Sequence, residues 1–379
     1  MLQSMRNPIM KDPPAAEDFK IAVICALPLE ANAVQAVFGS FWEDDKIIYG
    51  KAPYDTNSYT TGMIGDYNVV LAHMPDYGTT PAATVAAHFR HTFPGIKIGF
   101  VVGICGGAPK DEDGEDVWLG DVVISTEIVQ YDLGRQLSNK FETKYPLGSK
   151  LDVELQGFLN QMKASLDRTR LKAKIAEYLE APSIVPGDSK PKYPGADKDK
   201  LFSPTHLHKH HESLNGLICT ECKESDDVIC ETAAKLPCAV LKCNEQVIRN
   251  RLNQAKDTTA ANQGISVIQA ETEEASEAPK PSIHYGVVAS GNSVIRSSKY
   301  RDDIVQKTKA IAFEMEGAGV WQTMPSFIIK GVCDYADSHK NDQWQGYAAA
   351  TAAACLKAFL ERWRPTVDQL RHVSSLGEW

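Results

Sequence analysis

Long hydrophobic runs are missing from this chain: its apolar stretches are of strand length, far short of a bilayer span. The N-terminus, MLQSMRNPIMKDPPAAEDFK, lacks the apolar core of a secretory leader. Positive charge is in the minority, with 40 basic side chains against 49 acidic ones and a formal net charge of −9. That balance excludes a general affinity for nucleic acid or for an anionic membrane, while leaving room for a locally basic site and a phosphorylated small substrate. Cysteine is not scarce, but nine of them in 379 residues without a leader are expected to be reduced thiols in the cytoplasm. What the chain does have is apolar content, 43% hydrophobic residues, enough for one large core or two smaller ones.

In chain order, the pattern predicts a flexible polar segment over residues 1–18, one domain over 19–364 and a short tail over 365–379. Phe19–Ala26 reads as a buried strand that turns at Leu27–Glu30 into a helix, with Glu30 at the junction. Val69–His73 is a second strand. After it, Thr80 is the expected N-cap and Pro81 the first residue of a helix. Ile98–Val102 is a third strand, running into a glycine loop, Gly103-Ile104-Cys105-Gly106-Gly107. Leu119–Ser125 is a fourth. Residues 137–282 form a long excursion with one or two surface helices over Leu151–Leu179 and a mobile acidic loop at Gln254–Lys280. Strand character returns at Ile283–Ala289, and a helix carrying Arg296, Lys299 and Arg301 is expected after it. The final helix is Trp344–Trp363. Strand–helix alternation at both ends makes this an α/β domain, a twisted mixed sheet wrapped by helices.

The most informative stretch is Phe313–Asp337. Glu314-Met315-Glu316 opens a run with helical spacing, and Phe327–Val332 is a buried strand that delivers Asp334 just past its end. Ligands of open α/β sheets sit outside the carboxyl ends of strands. By themselves the acids read equally well as first-turn helix acids and a helix cap.

Several segments together resemble the purine nucleoside phosphorylase/nucleosidase superfamily, nearest to fungal purine nucleosidases of methylthioadenosine/adenosylhomocysteine nucleosidase type, which are often fused to immune-receptor-like proteins. They are EMEGAGV with VCDYAD, the continuation SHKNDQWQGYAAATAAA, the first-strand turn ICALPLEANAV, the GICGG loop, LGDVVIS, and SGNSVI at Ser290–Ile295. The match spreads over most of Phe19–Trp363. It implies that Glu30 activates water, that Cys105 and Gly106 lie under the nucleoside, and that Asn292 and Val294 belong to the segment that stacks on the base. Cys105 reads as a small space-filling residue, since no histidine is paired with it nearby.

Cleaving a purine N-glycosidic bond requires an acid for the leaving base, stabilisation of an oxocarbenium-like sugar and an activated nucleophile, much as in glycoside hydrolysis. The resemblance assigns the acid to Asp334, at purine N7, where it must hold a proton near neutral pH. Glu316 binds the ribose hydroxyls, Met315 packs under the ribose, and Glu314 completes the acidic cluster. Asp337 is expected to orient Asp334 or to cap the next helix. A protonated carboxyl at N7 can also accept from a 6-amino group, which favours adenine. The expected ligand is thus a purine nucleoside or nucleotide, handled without a cofactor by a homo-oligomer, most simply a dimer.

Water is the expected nucleophile. In the resembled phosphorylases an arginine and a serine beside the glycine loop hold phosphate; here those positions are Val101 and Ile104. The rival readings are a phosphate-dependent phosphorylase and an inactive nucleoside sensor. A Cys/His-rich stretch, from His206, His208, His210 and His211 through Cys219 and Cys222 to Cys230, Cys238 and Cys243, contains one CxxC. Its spacings do not form two clean pairs, so no tightly bound zinc is expected.

Overall fold

The computed structural model describes residues 13–143, 151–181, 191–211, 219, 222, 229–243, 247–250 and 279–364. The lead-in up to residue 12, the tail from 365 and residues 254–278 of the acidic loop lie outside the described residues.

The strands are β1 (Ile21–Cys25), β2 (Ser40–Phe41), β3 (Ser58–Ile64), β4 (Tyr67–His73), β5 (Ile98–Gly107), β6 (Val122–Gln130), β7 (Gly134–Gln136), β8 (Phe141–Thr143), β9 (Lys200–Phe202), β10 (Val247–Asn250), β11 (Ile283–Ser290), β12 (Ala310–Glu314) and β13 (Ser326–Asp334). The helices are α1 (Pro28–Gln35), α2 (Thr79–Thr92), α3 (Val153–Lys163), α4 (Ser165–Glu180), α5 (Glu231–Lys235), α6 (Cys238–Leu241), α7 (Ser298–Thr308), α8 (Gly317–Thr323) and α9 (Gln345–Arg362). Nine strands make one mixed sheet in the order β12-β11-β6-β13-β5-β1-β4-β3-β2. Its central strands are parallel, β1 to β4 and β5, and β5 to β13. Every residue of β1 and β13 is buried, which explains why both read as continuous apolar runs rather than alternating ones.

Two hydrophobic clusters flank the sheet, one holding Phe89, Trp321 and Trp344 and the other Phe100, Phe158 and Phe359. α9 lies directly on β13: a Cβ on Gly331 would fall 1.9 Å from the Ala348 carbonyl oxygen, so glycine there permits contact between backbones. The excursion contributes to this core as well. Leu155, Leu159, Leu171 and Ile175 of α3 and α4 are buried in the same cluster as α9.

One end of the sheet closes on itself. β12 pairs antiparallel with β5 through Ala312–Gly107 and Phe313–Gly106, joining the first strand of the order to the fifth. This closure draws the ends of β5, β12 and β13 together. The glycine stretch is therefore the last part of β5 and not a loop, because Gly103 and Gly106 pair with β13, and Gly106 and Gly107 with β12. Glu314 likewise ends a strand instead of opening a helix. Gly78, at φ 115°, caps α2 in place of Thr80, and the helix starts at Thr79.

Candidate active site

A cavity of about 270 Å³ opens where β1, β5, β12 and β13 end. Eight of the nine residues picked out in the sequence line it: Glu30, Cys105, Gly106, Val294, Glu314, Met315, Glu316 and Asp334. Asn292 is not among the lining residues. Its Oδ1 accepts from Thr79 N and Oγ1, both at 3.0 Å, and its own amides donate to Asp132, so it fixes the α2 turn to the loop after β11. A larger groove of about 800 Å³ beside Ala33, Tyr178 and Tyr193 contains none of the clustered acids. Chemistry, not size, identifies the site.

Glu30 sits in the first turn of α1 and is buried. Its Oε2 accepts from Ala26 N and Leu27 N, each at 2.9 Å, and its Oε1 from Ile104 N at 2.8 Å. The carboxylate thus bridges the end of β1 to the end of β5. Gly103 makes the bridge possible, since a Cβ there would lie 1.9 Å from Glu30 Oε1. Burial pushes the Glu30 carboxyl upward, opposed by Lys330 and by the backbone donors. A raised carboxyl is a better proton acceptor than an ordinary one.

Glu314 and Glu316 have different tasks. Glu314 accepts from Glu316 N and Gly317 N at 2.9–3.0 Å and so caps the start of α8, where a carboxylate also suits the positive end of the helix. Glu316 Oε1 accepts from Gly78 N at 3.3 Å, and its Oε2 lies 3.0 Å from Lys330 Nζ. Lys330 is fully buried within β13 and also stands 3.8 Å from Glu314 and 4.0 Å from Glu30. Burial alone would pull the Lys330 ammonium down, but Glu316, Glu30 and Glu314 more than reverse it and keep it charged. It is the counter-ion of the whole acidic cluster. Sequence reasoning missed it, although a single lysine inside the apolar run Phe327–Val332 was a usable signal.

Asp334 is the last residue of β13, and a register shift between Val332 and Asp334 sets it opposite Gly106. Such a bulge re-aims a side chain. Asp334 Oδ1 accepts from Ala336 N at 2.8 Å, and Oδ2 accepts from Cys333 Sγ at 3.1 Å. Lys340 Nζ lies 2.8 Å from the same Oδ2 and also lines the cavity. Lys340 is the second residue the sequence reading passed over. It belongs to the resembled continuation after Asp337, but nothing in its spacing aims it at Asp334.

The remaining assignments sort by geometry. Burial pushes the Cys105 thiol well up, so it fills space and is no thiolate nucleophile. Met315 and Val294 line the cavity, with Val294 half exposed at its rim. Asp337 does not touch Asp334: its Oδ1 accepts from His339 N at 2.8 Å within its own turn. Arg301 is buried in α7, donating to the Tyr335 carbonyl at 2.8 Å, so it holds the Asp334 loop from behind and does not reach for a ligand. Arg296 precedes the helix.

This arrangement suits a small molecule with hydroxyls for Glu316, a proton-accepting ring atom for Asp334 and a bond to be attacked beside Glu30. The chain is 29% identical over 353 residues to a nucleotide-binding leucine-rich repeat (NLR)-like protein of Hyaloscypha variabilis, with 91% of this chain matched and 29% of that protein. The chain thus spans under a third of that relative's length. Among solved structures it is similar to futalosine hydrolase of Helicobacter pylori (TM-score 0.45, 16% identity, covering 92% of this chain and 100% of that one). It is also similar to the 5′-methylthioadenosine/S-adenosylhomocysteine nucleosidase of S. pneumoniae (TM-score 0.47, 17% identity, 90% and 99%). Residues 20–181, the span that supplies Glu30 and the β5 glycines, match the family described as the Phosphorylase superfamily.

Proposed function

We propose that this protein is a purine nucleosidase, which hydrolyses the N-glycosidic bond of an adenine nucleoside or nucleotide and releases the free base. One observation carries the choice of water over phosphate: Glu30 takes the Ile104 amide at 2.8 Å. A phosphorylase needs free donors at that end of β5 to hold a dianion. Here a buried carboxylate occupies the donor and would repel phosphate, while it can accept a proton from water.

In this reading Glu30 draws a proton from the attacking water as the C1′–N9 bond opens. Glu316, held from behind by Lys330, keeps its free lone pairs for the ribose 2′- and 3′-hydroxyls. Met315 covers the sugar face. Asp334 delivers a proton to N7, so the base leaves neutral. Substrate entry must first draw Lys340 Nζ away from Asp334 Oδ2, which it now occupies, so that N7 can approach.

Incubation with adenosine, and in parallel with methylthioadenosine, in phosphate-free buffer tests the proposal. Adenine together with the free sugar is expected. Strict dependence on phosphate with a sugar 1-phosphate product would make it a phosphorylase. Unchanged substrate with saturable binding would make it a sensor.

A further inference from the structure

The excursion between β9 and β11 gathers the cysteines and histidines whose spacing looked too irregular for a metal. We propose that it is a zinc module whose principal site is His210, Cys219, Cys222 and Cys230. The four donor atoms lie within 4.8 Å of one another. The Sγ atoms of Cys222 and Cys230 stand 3.6 Å and 3.5 Å from His210 Nδ1. Zinc bonds of about 2.3 Å to sulfur and about 2.0–2.1 Å to nitrogen give a tetrahedral S–N edge of about 3.5 Å. The donor set already has the shape of a Cys3His site. Cys222 and Cys230 are buried, and all these cysteines are free thiols.

The packing around them gives a separate reason. The small core of this region consists of Phe202, Cys222, Cys230, Ala233, Leu241 and Cys243. Half of its buried members are cysteines; among the described residues Phe202 and Leu241 are its only large apolar side chains that are buried, with Ile229, Leu236 and Val247 packed partly exposed against them. A core this small gains much from a metal staple. Zinc binding supplies one. Each thiol gives up its proton to the solvent and donates as thiolate, while the imidazole donates as the neutral ring.

A second zinc is carried by different residues. His208 Nδ1 stands 3.4 Å from Cys238 Sγ and 3.6 Å from Cys243 Sγ. The other ring nitrogen, Nε2, is 2.8 Å from the Leu236 carbonyl oxygen, the backbone partner that fixes the tautomer of a metal-ligating histidine. His206 and His339 form a further three-donor group with Cys243. The Nε2 atom of each is buried with no hydrogen-bond partner among the described residues, so either ring can complete the site. His339 lies on the turn that carries Asp334 and Lys340, and Ser338 Oγ accepts from His208 N at 3.0 Å. This second metal would tie the module to the active-site turn.

The test uses the full chain, produced with zinc and purified without a metal-affinity step. Native mass spectrometry should count two zinc ions per chain, one fewer in Cys222→Ser and one fewer in Cys238→Ser. A wild-type chain without zinc, or with disulfides among these cysteines, overturns both sites. A Cys222→Ser or Cys238→Ser chain that keeps both ions overturns the corresponding site. Should the variants fail to fold, cobalt(II) exchanged into the wild-type protein decides: thiolate charge-transfer and strong tetrahedral ligand-field bands are expected, and weak octahedral bands overturn the proposal. None of these readouts depends on which reaction the cavity performs.

Discussion

Lys340 Nζ lies 2.8 Å from Asp334 Oδ2, so the residue assigned to protonate the leaving base is held in an ion pair before substrate arrives. Burial would lower the Lys340 ammonium, but Asp334 overrides this and raises it. Lys340→Met removes this pair, so N7 can approach Asp334 without breaking it. KM should fall by about 2- to 5-fold, the worth of an ion pair of about 0.5–1 kcal/mol. A raised KM would make Lys340 a substrate ligand instead.

Asp334→Asn keeps the size of the side chain and the hydrogen bond from Ala336 N, so the fold should survive. Turnover should fall by about 100- to 10,000-fold, the usual worth of a general acid. Near-normal turnover in the folded variant would remove Asp334 from the mechanism.

Lys330→Met leaves Glu30, Glu314 and Glu316 buried together without their counter-ion. Breaking a buried pair in this way costs roughly 3–5 kcal/mol. Urea titration should show the loss at neutral pH. Recovery of stability in more acidic buffer would confirm that carboxylate repulsion is the cause; equal loss at every pH would point to packing.

Gly103→Ala places a methyl where Glu30 Oε1 now lies, 1.9 Å from it. Hydrolysis should drop about as far as in Glu30→Gln, by roughly 100-fold or more, with substrate binding in Glu30→Gln largely intact. Combining Gly103→Ala with Glu30→Gln should add little, because both remove the same function. Additive losses would mean that Gly103 acts apart from Glu30.

His284 is buried between two acids, with Nδ1 2.7 Å from Asp111 and Nε2 3.1 Å from Asp121. Burial would lower its imidazolium, but Asp121 and Asp111 together raise it. A raised folded value means stability that is full below the ordinary histidine value of about 6.5 and lost as pH rises through the raised value. The Tm advantage of wild type over His284→Gln should be larger near about pH 6 than near about pH 9. A constant difference would show that the imidazole stays neutral throughout.

The sequence revealed most where burial is complete. β1 and β13 were readable because both faces are covered, leaving unbroken apolar runs, and the acids at their ends followed. Three things were not readable. The end of β5 looked like a loop because glycines suggest turns, and only the pairing with β12 and β13 makes them strand. Lys330 and Lys340 gain their roles from partners that lie far away in the chain or across a tight turn. The cysteines and histidines of the excursion converge through folding and not through spacing, so a ligand count along the chain does not reveal their proximity.

The closure of β12 onto β5 has a consequence for how the protein is made. Glu30 and Asp334 are separated by roughly 300 residues, which at about 5–20 residues per second is some 15–60 s of synthesis. Throughout that interval the nascent chain holds Glu30 but neither Asp334 nor Glu316, and β5 waits for two of its neighbours. Under the proposed function, activity in an extract would therefore count finished, closed molecules only, while the edge of β5 is where a stalled chain would recruit a chaperone or a wrong partner.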